Sequence, residues 1–466
     1  MASPIKHVFV VMMENRSFDH MLGHLHAGNT DIDGIRADDP AWLASAANPH
    51  TGGPYPPFPL TDPHGNLQAD PPHGRTAIAK QLAGRADGSF AMDGFVTSYA
   101  AEHPDKPIDR QANQPPPMGW FGAKQAPVSD FLARNFMVCN RWFAPLPAAT
   151  QPNRLMAMSG VTILDHNAVP MPKQKLVYEW LKGKAKWRVY HDKLPFFMIM
   201  LERVPTILTS KNFRDFSKFA RDLAKGGDNF PQVVFIEPTY GDSPFIKHHN
   251  DDHAPAGIAR GQKFLWQVYK ALEAAPEVAR SSVLIITYDE HGGFFDHVPP
   301  PPVRTDPPPN HKWKGAATAF ESLGARVPAI IVSPFVSAGS VHPGVLDHTS
   351  VLKLLGTLFG GGSYSPAVDA RPVGDVHDAL DALDAPRALP PIPDFNAYFA
   401  PPATAFAAAR ATKPTGRAPG TVPRSKMEEA FQAALDEIRK QPLAKRAQYA
   451  DLLAAFPPDP ASARRR

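Results

Sequence analysis

The chain predicts an α/β fold: a doubly wound, mostly parallel sheet with helices on both faces. Three observations carry this. The first is a set of apolar runs without polar breaks, Val8–Met13, Gln232–Ile236 and Ser282–Tyr288, which read as strands buried on both faces. The second is the alternation of such runs with helical segments along the chain. The third is that the polar clusters fall just past the strand ends, where ligands bind in open α/β sheets.

Val8-Phe9-Val10-Val11-Met12-Met13 stops at Glu14-Asn15-Arg16-Ser17-Phe18-Asp19-His20. The polar residues are either a site or the cap of the next helix, with Asn15 or Ser17 as N-cap. From Gly28 to Pro127 runs a loop-rich insertion, whose Gly52-Gly53-Pro54 and Pro115-Pro116-Pro117 disfavour long helices and central strands. Within it Asp70-Pro71-Pro72-His73-Gly74 precedes a helix from Thr76 to Leu82, and His73 is either a surface histidine or a site residue. Val128–Asn135 reads as a helix and Phe136–Cys139 as a short buried strand. Pro145 and Pro147 extend the approach to Thr150-Gln151-Pro152-Asn153-Arg154, where Pro152 suits a helix's first turn. Thr150 then lies at a helix N-terminus, either as a simple cap or beside an anion that the free N–H groups favour.

Leu176–Leu181 reads as helix, Trp187–Tyr190 as strand, Asn212–Ala224 as helix, and Gln232–Pro238 as a buried strand. The loop after it holds Asn250-Asp251-Asp252-His253, followed by a helix from Ile258 to Leu272. Ser282–Tyr288 then ends in Asp289-Glu290-His291-Gly292-Gly293-Phe294-Phe295-Asp296-His297, where the glycine pair permits a sharp turn or a close approach. Arg326–Pro334 is a further strand, and Asp347-His348-Thr349-Ser350 opens the helix Val351–Leu355. His297 and His348 serve either as site residues or as structural donors. From about Pro386 the composition turns to Ala, Pro and Arg. Ser425 caps a helix Lys426–Lys440, and Pro442 separates it from a second, Leu443–Ala455. Residues 1–385 are read as a catalytic domain and 386–466 as a C-terminal extension without evident catalytic residues.

Carboxylates delivered by two strands to one sheet edge repel one another unless they share a proton or a cation, and a divalent metal answers that need. The 49 basic and 45 acidic residues, net +4, are too balanced for a nucleic-acid partner, and the basic excess includes Arg464-Arg465-Arg466. One cysteine, Cys139, excludes an internal disulfide framework. No basic segment and apolar h-region precede the first strand and no apolar run reaches membrane-span length, so a cytoplasmic location is expected.

Four blocks, Glu14–His20, Thr150–Arg154, Asn250–His253 with its proline, and Tyr288–His297, together resemble the bacterial and plant phosphoesterases that include non-specific phospholipase C and acid phosphatase A. The resemblance spans roughly His7 to Leu355. It implies an alkaline-phosphatase-like core and a phosphoric ester hydrolase of the phospholipase C type. On it, Glu14, Asn15, Asp289 and Glu290 are metal ligands, and Thr150 is both ligand and nucleophile, passing through a phospho-threonine. His73 and His253 bind phosphate oxygens or protonate the leaving group, and Asn153, Arg154 and His297 bind substrate. One divalent ion is expected: calcium or zinc first, magnesium or manganese next. The substrate is a phospholipid or a small phosphate ester, with at most transient contact with a membrane surface. An acid phosphatase with the same site and a non-catalytic binder of phosphorylated ligands are the alternatives. The chain departs from the family pattern at Gln151, where Asn is usual, and around His73.

Overall fold

The computed structural model describes residues 3–106, 108, 115–227, 230–243, 249–313, 319–380, 385–400 and 425–455. The basic end Arg464–Arg466 and residues 401–424 of the extension lie outside them. Ten strands follow one another along the chain: β1 His7–Met13, β2 Phe58–Leu60, β3 Gly119–Phe121, β4 Met137–Phe143, β5 Trp187–His191, β6 Phe213–Asp215, β7 Val233–Glu237, β8 Ser282–Tyr288, β9 Ala329–Val332 and β10 Val341–Asp347. Eight form one sheet in the order β10-β4-β9-β8-β1-β7-β5-β6, and β2 and β3 pair apart. Every pairing in the large sheet is parallel except those of β9, which runs antiparallel to both neighbours.

The α/β class expected from the apolar runs is the one observed. The central strands β7 and β8 are buried at every residue, as strands covered by helices on both faces must be. β1 lies between them, in register from Val8 against Val233 and from His7 against Ser282. The polar residues that follow β1 and β8 therefore stand at adjacent strand ends, where open α/β sheets bind ligands.

Three local expectations change. Asn212–Ala224 is not one helix: Phe213–Asp215 adds an edge strand to the sheet, and the helix proper spans Phe219–Lys225. Pairing of Phe213 with Val189 overrides local helix propensity. The strand beginning near Phe136 runs on to Phe143 because β10, which carries no continuous apolar run, pairs along it. The segment Leu443–Ala455 breaks into Leu443–Arg446, a 3-10 turn at Ala447–Tyr449, and Ala450–Ala455.

The helix Lys426–Lys440 forms as expected, with Ser425 as its cap and Glu428 completing a capping box. Its buried face (Met427, Ala430, Phe431, Ala434, Leu435 and Ile438) packs into the same apolar core as the sheet.

Candidate active site

Register builds the site. Met13 pairs with Tyr288, so the next residue of each strand, Glu14 and Asp289, emerges side by side from adjacent parallel strands. The backbone then turns: Asn15 takes φ +60°, and its N–H donates to Asp289 Oδ1 at 3.1 Å. Asparagine tolerates this left-handed conformation better than most residues. On the other strand Gly292, at φ +62°, lets the chain pass against Asn15, where an added Cβ would lie 2.2 Å from the Asn15 carbonyl oxygen. Gly293 in turn packs against Pro71 and Pro72, which brings in the loop carrying His73.

Thr150 is the first residue of the helix Thr150–Ser159, reached through the extended Ala149. It is fully buried, and its side chain does not cap the helix. Arg154, one turn along, donates from Nε to Asp289 Oδ2 at 3.0 Å and lies 3.6 Å from Glu14 Oε2. The helix start and the two strand ends therefore meet. From the loop after β7, His253 faces Glu14, Asp242 and Asp70 at 3.5, 3.5 and 3.3 Å. The Asn15 carboxamide Nδ2 lies 2.8 Å from His253 Nε2 and 3.3 Å from His73 Nε2. His73 Nδ1–H donates to the Pro71 carbonyl at 2.8 Å, a tautomer that leaves its Nε2 facing the pocket. Glu290 Oε1 lies 4.0 Å from that nitrogen.

These side chains fit a cation. Among the described residues, Glu14 Oε1 and Oε2, Asn15 Oδ1, Glu290 Oε1 and Thr150 Oγ1 are all buried without a hydrogen-bond partner. Buried polar atoms rarely stay unpaired, and unpaired buried charges cost several kcal/mol. A set of hard oxygen atoms with this deficit suits a divalent ion. Without one, burial and the neighbouring Asp289 push the Glu14 pKa up to about 8. Asp289 rises to about 6, burial again leading, with Arg154 opposing the rise and Glu290 adding to it. Burial opposes charge on His253 and His73, yet nearby carboxylates outweigh it. Asp242 and Asp70 hold His253 well above the ordinary imidazole value, and Glu290 and Asp70 raise His73.

Three expected substrate contacts are placed differently. The Asn153 carboxamide is spent on the turn before Thr150: it accepts from Leu146 N–H at 3.0 Å and donates to the carbonyls of Leu146, Ala148 and Ala149. Arg154 binds the acidic residues themselves, the Met13 carbonyl and the Tyr240 hydroxyl. His297 joins another cluster, with Nδ1 2.7 Å from Asp19 and Nε2 3.0 Å from Asp33. The acids of that cluster, Asp19 and Asp296, already have a cation in the buried Arg326, at 3.2 and 2.8 Å. His348 is structural: it accepts from Trp142 Nε1–H at 3.1 Å and donates to the Asp289 carbonyl at 2.8 Å. Burial lowers its pKa to about 4.

Sequence reasoning passed over Asp70, Asp242 and Tyr240. Asp70 stands three residues before His73 and Asp242 follows β7, so position after a strand was the available signal for the second.

The comparisons with known proteins agree in kind. Over 352 residues the chain is 33% identical to non-specific phospholipase C6 of Arabidopsis thaliana, covering 73% of this chain and 63% of that protein. It therefore spans less than two thirds of that relative's length. Non-specific phospholipase C3 of the same plant is 29% identical over 428 residues (84% and 77% covered). Phospholipase C B of Mycobacterium tuberculosis is 27% identical over 414 residues (76% and 73%). Among solved structures, a protein in the alkaline phosphatase superfamily from Vibrio parahaemolyticus matches with a TM-score of 0.34 at 10% identity, over 70% of this chain and 83% of that one. That likeness is too low to argue from. The model of the phosphoesterase family matches residues 5–360, well over half of the sequence, and the chain belongs to that family.

Proposed function

We propose that the chain is a metal-dependent phosphoric ester hydrolase of the phospholipase C type that works through a phospho-threonine. The observation that carries this reading is the buried, unpartnered hydroxyl of Thr150, at the head of a helix whose Arg154 is bonded to Asp289. Glu14, Asn15, Asp289, Glu290 and Thr150 would hold one divalent ion. When bound, it lowers the pKa of the hydroxyl and polarises a phosphoryl oxygen. The oxygen donors leave calcium, zinc, magnesium and manganese open, and calcium or zinc is the ion expected first.

The chain's own residues do the rest. Arg154 holds the carboxylates of Asp289 and Glu14 together at the strand ends, where they would bind the ion. Thr150 Oγ, its proton released to solvent, attacks phosphorus as the P–O bond to the alcohol breaks, and the alcohol oxygen takes the Nε2 proton of His73 or His253 in its charged form. Water then gives a proton back to that histidine and adds to the phosphorus of phospho-threonine, the threonine oxygen departs as the alkoxide, and phosphate or a phosphomonoester is freed. The Asn15 carboxamide packs against the Nε2 edge of both imidazoles, and Asp242 and Asp70 support the charged form of His253. The substrate class is a phospholipid or a smaller phosphate ester, met at most transiently at a membrane surface. Among the described residues no helix is long and apolar enough to cross a membrane.

The test is turnover of p-nitrophenylphosphorylcholine and p-nitrophenyl phosphate by the purified protein, with metal analysis. Preference for the diester supports the phospholipase C reading, and preference for the monoester moves it to a phosphatase. No turnover of either with any divalent ion removes it. Thr150→Ala is expected to abolish turnover while leaving the melting temperature within a few degrees. An active Thr150→Ala protein would rule out the nucleophile.

A further inference from the structure

The family match ends at residue 360, yet the helix Lys426–Lys440 reaches three of the site's residues, each through one intermediary. The first is Thr150. Its neighbour Gln151 is fully buried and donates from Nε2 to Met427 Sδ at 3.3 Å, while the same side chain bonds both the N–H and the carbonyl of Ala168. The second is Arg154. Its guanidinium lies over the rings of Phe196 and Tyr240, 4.5 and 4.9 Å from their centres. Phe431 stacks on Tyr240 at 5.6 Å and meets Phe196 edge-on at 6.1 Å, so it touches both rings that hold Arg154. The third is His253. Ser425 Oγ donates to Asp242 Oδ1 at 2.9 Å, and the other Asp242 oxygen lies 3.5 Å from His253 Nδ1.

We propose that this helix is a positioning element of the active site: Phe431 acts through Tyr240 on Arg154, and Ser425 acts through Asp242 on His253. It rests on the phosphoryl-transfer site argued above. Simple core packing does not account for the pattern. An amphipathic helix can bury an apolar stripe against any apolar surface, whereas here polar groups are matched as well. A hydroxyl has one proton and can accept at the same time. Ser425 accepts from Glu428 N–H as the helix cap at 3.0 Å and gives its single proton to Asp242. At Phe431, loss of the ring leaves a void against Tyr240 and Phe196. Arg154 can then slip from the acidic residues it orients, and displacements of about an ångström at a reacting centre cost up to about a hundredfold in rate.

The experiment uses the full chain with Phe431→Leu, Ser425→Asp and Ser425→Asn. Asp and Asn both keep the helix cap, but only Asn retains a donor for Asp242. Phe431→Leu is expected to lower kcat on p-nitrophenylphosphorylcholine by about ten- to a hundredfold, with KM changed less than about twofold. Hydrogen exchange should quicken at the amides of Thr150–Ser159 and remain unchanged in β8. Ser425→Asp should lower kcat, and Ser425→Asn should restore it to within about twofold of the parent. Unchanged exchange at Thr150–Ser159 in Phe431→Leu, an unchanged kcat there, or equal rates for Ser425→Asp and Ser425→Asn would each overturn the proposal. If the parent protein turns over no phosphate ester, the hydrolase reading fails, and the exchange comparison alone still decides whether the helix positions the site.

Discussion

Glu14 is a fully buried carboxylate whose two oxygens have no hydrogen-bond partner among the described residues, and this sets a pH signature. Without an ion its pKa stands at about 8 against an ordinary value of 4.5, burial being the main cause. The folded state thus holds the proton more tightly than the unfolded chain. The resulting stabilisation is complete below about 4.5 and lost as pH rises through about 8. Metal-stripped protein should therefore melt at progressively lower temperature from pH 5 to pH 8. Glu14→Gln should flatten that slope, and added divalent ion should restore the parent's melting temperature at pH 8. Thermal melts across this range check all three outcomes; a metal-stripped parent with no slope would contradict them.

At the scale of elements, the site depends on two strands ending in register and on the turn that follows each. Gly292 is the tightest point, with positive φ and the Asn15 backbone where a side chain would stand. Gly292→Ala must move backbone, not a flexible side-chain tip, so a cost of more than about 2 kcal/mol is expected. Lowered metal content should accompany the loss of stability, because Asn15 is displaced. Calorimetry and elemental analysis of the folded variant measure the two together. The helix Thr150–Ser159 is set by different means: Asn153 spends its carboxamide bracing the turn before it, so Asn153→Ala should misplace Thr150 and lower kcat more than it raises KM.

Over the whole molecule, a second ionic network ties the insertion to the sheet. His297 bridges Asp19 and Asp33, and Arg326 joins Asp19 to Asp296. Burial opposes charge on His297, but Asp19 and Asp33 raise its pKa from 6.5 to about 9. Such a rise corresponds to at most about 3 kcal/mol. A histidine raised in the folded state stabilises fully below about 6.5 and loses this as pH rises through about 9. With metal bound, the stability of the parent should fall between those limits, and His297→Asn should be less stable at pH 6 yet nearly equal to the parent at pH 10. Denaturant titrations at the two pH values test this. Equal stability at pH 6 would mean that the bridge contributes nothing.

The parallel α/β sheet and the strand ends bearing Glu14-Asn15 and Asp289-Glu290 were legible in the order of residues, because burial on both faces forces unbroken apolar runs and polar residues can begin only where the sheet stops. The edge strands Phe213–Asp215 and Val341–Asp347 were not legible, because partners distant in sequence stabilise them. Only tertiary packing decided that His297 serves an ionic network, that Asn153 braces a turn, and that Asp70, Asp242 and a helix beyond residue 425 stand behind the site. Local sequence records what each segment must bury. Which charges meet across the fold depends on strand register and on the paths of loops, and these are settled when the whole chain packs.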